Sequence, residues 1–370
     1  MAAEGFVPPP YPYDRLDRLA AICAGHDGGI VDLSIGTPCD PPPAAVIAAL
    51  ASSNSERGYP PSIGTPDLRR AIVAWVQRKF GIDVTADQVA ACIGTKEMVA
   101  TTPQYLKLRS PSKDTVLYPA VAYPTYEMGA VLAGCRPVAV PMSADGGIDL
   151  DGIDPDDAER ALMLWVNSPS NPTGALSDLD AAAAWGRAHG VPVFSDECYV
   201  EFTWQSRPRT IIETGVEGVV AVHSLSKRSN LAGLRVGFYV GDPELVTYLK
   251  EVRKHVGMLV PGPAQAAGAS ALADDEHVTV QRERYLGRLR RTAAVLSAWS
   301  GLPIDLPAGG FYLWFDAADG WAFAERLATE GGALVSPGDF YGAGGANNVR
   351  VAVVQPDDRI ELVARRLGVD

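Results

Sequence analysis

Lysine is scarce in this chain: of 370 residues only seven are lysine, among 32 basic residues in all. Positive charge as a whole is short, because 44 acidic residues leave a formal net charge of −12 at pH 7. That balance argues against nucleic acid and against anionic membrane surfaces as partners. It also means that an anionic substrate must be drawn in by a local basic site. Histidine and cysteine number five each. No histidine lies at ligand spacing from another His or Cys, so no metal site is expected. Cys23, Cys39, Cys92, Cys135 and Cys198 form no CxxC pair and read as reduced, intracellular thiols. No apolar run approaches the roughly 18 residues that span a bilayer. The N-terminus lacks the basic region and apolar core of a signal peptide, so the cytoplasm is the expected location. GxxxxGK[ST] is absent and no GxGxxG follows a strand, which excludes the common nucleotide and dinucleotide loops.

What is present is ordinary globular composition, 47% hydrophobic and 21% charged, on a length that suggests two domains. Residues 1–40, with clustered prolines at 8, 9, 10 and 12, read as an arm lying on another surface. Residues 41–275 alternate strand and helix patterns. Thr65, Pro66 and Gly81 supply an N-cap, a first helical residue and a C-terminal stop around one helix with an apolar face. The segments ALMLWV and VPVFS are almost continuously apolar, as strands covered on both sides should be. The pattern predicts an α/β fold with a mostly parallel central sheet and helices on both faces. Residues 276–370 predict a smaller C-terminal α/β domain, with the arm packed onto it. The charged run DDEHVTVQRERYLGRLRRT reads as a solvated helix face.

In an open parallel sheet, ligands collect at the C-terminal ends of the strands. Several polar residues fall there. Gly94, Thr95, Lys96 and Glu97 end one strand and open a helix, where free amides and the helix dipole favour an anion. Asn171 lies in the loop after a buried strand, and Asp196 ends another, with Tyr199 three residues on. A carboxylate in such a place needs a cation. Tyr123 opens a helix and offers a ring to a flat ligand. Lys227 sits in HSLSKRSNLAGLRVG, between apolar strands, with Ser224, Ser226 and Arg235 beside it. A nucleophilic lysine must be neutral, and burial with a neighbouring cation lowers its pKa. Hydroxyls and a guanidinium also suit a phosphate. Arg350 interrupts the apolar strand NNVRVAV and needs a carboxylate, from the protein or from a substrate.

The set GTKE, YPTY, SPSNPTG, SDECY and SLSKRSNLAGLRVG, in this order, resembles the fold-type I pyridoxal 5'-phosphate (PLP) enzymes, aminotransferase class I/II. The resemblance implies the PLP-dependent transferase fold type I and roles by motif. Lys227 matches the Schiff-base lysine and proton shuttle, and Asp196 the partner of the pyridine nitrogen. Asn171 and Tyr199 match contacts to the ring oxygen, and Tyr123 the stacking ring. Ser224, Ser226 and Arg235, with the amides at Thr95 and Lys96, match the phosphate site. Tyr59 matches a tyrosine that reaches the neighbouring subunit's phosphate, which implies a homodimer with shared sites. Arg350 matches the arginine that binds the substrate α-carboxylate, and Gly36 a loop glycine over the substrate. GTKEMVA, KHVGMLVPGPAQAA and SPGDFYG are most similar to actinobacterial N-succinyldiaminopimelate aminotransferases of lysine biosynthesis. That similarity implies amino-acid and keto-acid substrates. Arg253 and Lys254 are candidates, by charge alone, for the distal end of such a substrate. Aminotransferases for aspartate or aromatic amino acids, a PLP-dependent C–S lyase and a PLP-binding regulatory module are the alternatives.

Overall fold

The computed structural model describes residues 5–55 and 57–369, so residues 1–4 of the expected arm and residue 370 lie outside it. Its centre is a seven-stranded sheet. In chain order the strands are β1 (Val89–Cys92), β2 (Thr115–Pro119), β3 (Arg136–Val140), β4 (Ala161–Asn167), β5 (Val193–Asp196), β6 (Val219–Ser224) and β7 (Gly237–Gly241). Their spatial order is β1-β7-β6-β5-β4-β2-β3. Neighbours pair in parallel except β7, which runs antiparallel to both β1 and β6. The reversal has a consequence for function. The start of β7 lies at the same sheet edge as the ends of the other strands, so the residues just before it arrive there too.

Side chains alternate across the sheet. Leu117, Leu164, Val166, Phe238 and Val240 join one buried cluster, while Val116, Trp165, Val220 and Tyr239 join the cluster on the opposite face. Helices cover both. Helix α1 (Pro66–Phe80) starts where the sequence signals: Thr65 Oγ1 accepts from the Leu68 amide at 3.3 Å, and Gly81 stops it at φ 72°. It buries Leu68, Ile72, Trp75 and Val76. Helix α2 (Thr95–Arg109) follows β1, and the four-residue helix α3 (Leu225–Arg228) follows β6.

Beyond residue 262 come helices at Gly262–Leu272 and α4 (Glu276–Ser300). A three-stranded antiparallel sheet then pairs Ser336–Pro337, Asn348–Ala352 and Tyr312–Asp316. The N-terminal segment enters this region directly, since Val31–Asp32 pairs in parallel with Ala333–Leu334. The charged run forms a solvated face in part: Glu276, Glu283, Arg284 and Arg290 are exposed, while the other side of the helix is buried. Val278, Gln281, Tyr285, Arg288, Leu289 and Thr292 are buried along α4. Arg288 gives Asp40 two hydrogen bonds, at 2.6 and 2.9 Å, and a third to Asp357 at 2.6 Å. The helix period placed this arginine inward, and its two carboxylates make the burial tolerable. Among the described residues no helix is long and apolar enough to cross a membrane.

Candidate active site

The ends of β1, β4, β5 and β6 and the approach to β7 surround a cavity of about 430 Å3. Lys227 projects into it from α3. That helix is capped by Ser224, whose Oγ accepts from the Ser226 amide at 3.1 Å. Lys227 Nζ donates to the Gly36 carbonyl. Enclosure by protein pushes its amine down to about 8, with Arg350 and Arg235 adding to the effect and Cys198 and Asp196 opposing it.

Asp196 is buried at the end of β5. Its carboxylate accepts from the Tyr126 hydroxyl at 2.9 Å and from the Cys198 amide at 3.2 Å. Burial holds its pKa above the ordinary carboxylate value against those hydrogen bonds. Among the described residues no Lys or Arg lies at ion-pairing distance from it, so the carboxylate faces the cavity short of a cation.

Asn171 Oδ1 accepts from Arg350 Nη1 at 2.8 Å, and its amide donates to Asn167 Oδ1 at 2.7 Å. Asn167 in turn donates to the Asp196 carbonyl at 2.8 Å. Its loop carries cis peptides at Ser168–Pro169 and Asn171–Pro172. The Tyr199 hydroxyl meets the Tyr312 hydroxyl at 2.9 Å. Arg350 is buried between the rings of Tyr312 and Tyr341, at 4.2 and 4.7 Å from their centres. It donates to the Tyr13 hydroxyl at 3.0 Å and to the Ser34 carbonyl, while its Nε has no partner among the described residues.

The remaining expected residues form a cradle. Gly94 precedes α2 at φ 70°, leaving the Thr95 and Lys96 amides in the helix's first turn. Arg235, just ahead of β7, reaches Ser226 Oγ at 3.4 Å and the Ala232 carbonyl at 2.8 Å. A Cβ on Gly94 would come 2.1 Å from Arg235 Nη2 and would push the guanidinium from its place. Gly36 is constrained in the same way, because its Cβ would lie 2.0 Å from the Tyr312 hydroxyl oxygen. Tyr123 lines the cavity, and Lys96 lies at its mouth, 4.8 Å from the Tyr11 ring centre and 5.9 Å from that of Tyr123. Tyr59 lies elsewhere, 97% exposed on this chain's surface.

These residues fit PLP. A lysine with a lowered pKa, a buried carboxylate short of a cation, and a guanidinium without a carboxylate partner among the described residues match its aldehyde, pyridine nitrogen and phosphate. Arg253 does not belong to the site. It is buried, with its guanidinium on both Glu97 oxygens at 2.5 and 2.8 Å. Lys254, beside Glu251 at 3.9 Å, is exposed outside the cavity. Their charge in the sequence gave no sign of where the helix face points. Conversely, Tyr126, Asn167, Cys198, Tyr312 and Tyr13 touch the site residues or the cavity without having been foreseen. Asn167, at the end of an apolar strand, carried a readable signal; the tyrosines looked like ordinary core.

A family model described as aminotransferase class I and II matches residues 28–367. A probable aminotransferase of Mycobacterium tuberculosis is 43% identical over 97% of this chain and 85% of its own length. A 4-dedimethylamino-4-oxo-anhydrotetracycline transaminase of Streptomyces rimosus is 40% identical, over 97% and 99%. Among solved structures, a probable N-succinyldiaminopimelate aminotransferase from Thermus thermophilus superposes with a TM-score of 0.86 at 30% identity, covering 96% of this chain and 98% of that one. The chain therefore belongs to the class I and II aminotransferases, enzymes of fold type I that depend on pyridoxal 5'-phosphate.

Proposed function

We propose that this aminotransferase moves an amino group between N-succinyl-LL-2,6-diaminopimelate and 2-oxoglutarate, with glutamate as donor in the biosynthetic direction. The observation that carries this reading is a cavity with cations at two depths of its mouth. Arg350, braced by Asn171, suits an α-carboxylate at the deep end. Lys96, without a carboxylate partner among the described residues, suits a second anionic group at the mouth. A chain of net charge −12 must attract a substrate with more than one carboxylate by such local means. The name of the Thermus thermophilus structure supports the same substrate class.

When bound, PLP supplies an electron sink that lets a proton leave the substrate α-carbon. The Lys227 amine, neutral in useful fraction because of its lowered pKa, takes that proton and returns it. Asp196 would keep the pyridine nitrogen protonated, Tyr199 and Asn171 would hold the ring oxygen, and Tyr123 would cover the ring. Ser224, Ser226, Arg235 and the amides of Thr95 and Lys96 would hold the phosphate. Arg350 orients the substrate, and the Gly36 loop covers it. Exposed Tyr59 serves the site of a second copy, so the working form is a homodimer.

A second reading draws on the Streptomyces rimosus relative and the rings of Tyr11 and Tyr123 at the mouth: amination of a ketone on a fused-ring substrate. A panel of amino donors and acceptors, assayed for 2-oxoglutarate or glutamate turnover, separates the two. Turnover of N-succinyl-LL-2,6-diaminopimelate well above that of aspartate and aromatic amino acids is expected. Preference for a ring ketone would replace the first reading by the second. Pyruvate release without a keto acid would mark a C–S lyase.

A further inference from the structure

We propose that Arg228 is a positioning residue for Lys227: its guanidinium, bound on five acceptors behind the cavity, fixes the one-turn helix that aims the lysine amine. The inference rests on Lys227 being the cofactor lysine. Helix α3 is four residues long, and one turn does not hold itself in water. Its own backbone contributes the Ser229 amide to the Leu225 carbonyl at 3.1 Å. Successive helical residues point about 100° apart, so Lys227 and Arg228 leave α3 in different directions, one into the cavity and one into the protein.

Arg228 is 3% exposed. Nε donates to Glu201 at 3.0 Å, Nη1 to Ser229 Oγ at 3.1 Å and the Ala271 carbonyl at 2.7 Å, and Nη2 to the Asp274 carbonyl at 3.2 Å and Asp275 at 2.8 Å. Every N–H of the fork is used. Glu201 is itself buried, accepting from Trp75 Nε1 at 3.1 Å and pairing with Lys79, both on α1. Asp275 immediately precedes α4. His277, on α4, meets Ser229 Oγ at 2.9 Å. Thus the turn after Tyr199, the end of Gly262–Leu272 and the start of α4 grip the residue next to Lys227, and α1 holds the Glu201 that does so. Buried ion pairs often contribute little net stability compared with apolar packing. What five directional bonds add is a fixed orientation. The titratable and charged groups facing Lys227 itself, Asp196, Cys198, Arg235 and Arg350, all line the cavity.

The test uses the full chain with Arg228→Lys, which keeps the charge but not the fork, and Asp275→Asn, which keeps the fork and weakens one partner. Three quantities are read: the pH midpoint for PLP uptake by the cofactor-free chain, followed by absorbance; kcat and KM; and the melting temperature. Arg228→Lys is expected to raise the midpoint by about one pH unit as the amine slackens toward water. It should lower kcat about tenfold with KM changed less than about twofold. Asp275→Asn should shift both in the same direction by less. A lower melting temperature with midpoint and kcat unchanged would leave Arg228 a purely structural residue and overturn the proposal. If Arg228→Lys does not fold, Asp275→Asn decides alone, a shifted midpoint supporting the proposal and an unshifted one overturning it. Lys227→Ala is the separate control: uptake with wild-type pH dependence in that variant would refute the lysine assignment, not the anchor.

Discussion

The floor of the cavity and its mouth are built in different ways. The floor is made of strand ends: Asn167, Asp196 and Ser224 are the last residues of three adjacent parallel strands, and the sheet behind them is packed on both faces. Their spacing follows from backbone pairing and tolerates little change. The mouth is assembled from distant pieces. Arg350 reaches Tyr13 across 337 residues of sequence and Asn171 across 179. Gly36, Tyr11 and Tyr13 come from the N-terminal segment, while Tyr312 and Arg350 come from the three-stranded sheet. A floor held by backbone suits atoms that must meet reacting groups in one geometry. A mouth held by side-chain contacts suits recognition. Substitutions on the floor should therefore strike kcat, and those at the mouth KM.

The sharpest way to break that contrast lies on the floor. Lys227→Ala should lower kcat by at least about 10^3-fold, the scale of a lost general acid–base group. KM should stay near its wild-type value, because Arg350 and Lys96 still bind the substrate. Steady-state kinetics with the preferred donor checks both halves. A variant that loses mainly KM would mean that the floor binds more than it reacts.

The two regions also differed in how far they could be read from sequence. The floor residues lie within a few positions of strand ends, so the rule that ligands gather at such ends picks out Thr95, Asn171, Asp196, Ser224 and Lys227 from the sequence. The alternation of strands and helices gave the central sheet, although not the reversed direction of β7, which side-chain pattern does not encode. The mouth was less legible. Arg350 stood out as a charge in an apolar strand, but nothing local tied it to Tyr13, Ser34 or Tyr341, because those contacts depend on how the second sheet meets the N-terminal segment. Arg253 misled for the complementary reason: its bidentate partner Glu97 lies 156 residues away. Tyr126 was hidden inside YPTY, where helix spacing turned its hydroxyl to Asp196.

Arg350→Lys tests the deep end of the mouth. The charge remains, but a lysine cannot match a planar carboxylate with two parallel bonds or stack between Tyr312 and Tyr341. KM for amino-acid donors should rise about 10- to 100-fold, the equivalent of one or two charge-assisted hydrogen bonds. The kcat should fall much less. A large loss of kcat at unchanged KM would show that Arg350 belongs functionally with the floor.

The smallest effect is expected at Lys96, and it is the most informative about substrate. Two parts of this residue face different tasks. Its backbone amide belongs to the first turn of α2 and survives any side-chain change. Its ammonium stands exposed at the mouth between Tyr11 and Tyr123. Lys96→Met keeps the apolar stem between the rings and removes only the charge. An exposed ion pair is worth at most about 1 kcal/mol, so kcat/KM for dicarboxylic donors should fall about fivefold. The loss should shrink as ionic strength rises, since screening already weakens such a contact. Donors with a single carboxylate should lose less than about twofold, because nothing on them meets the ammonium. Equal losses for both donor classes would remove Lys96 as the distal anion site and, with it, the main structural support for a dicarboxylic substrate. Unequal losses would divide the two cations at the mouth by depth, Arg350 reading the carboxylate every amino acid carries and Lys96 the one that distinguishes this enzyme's own.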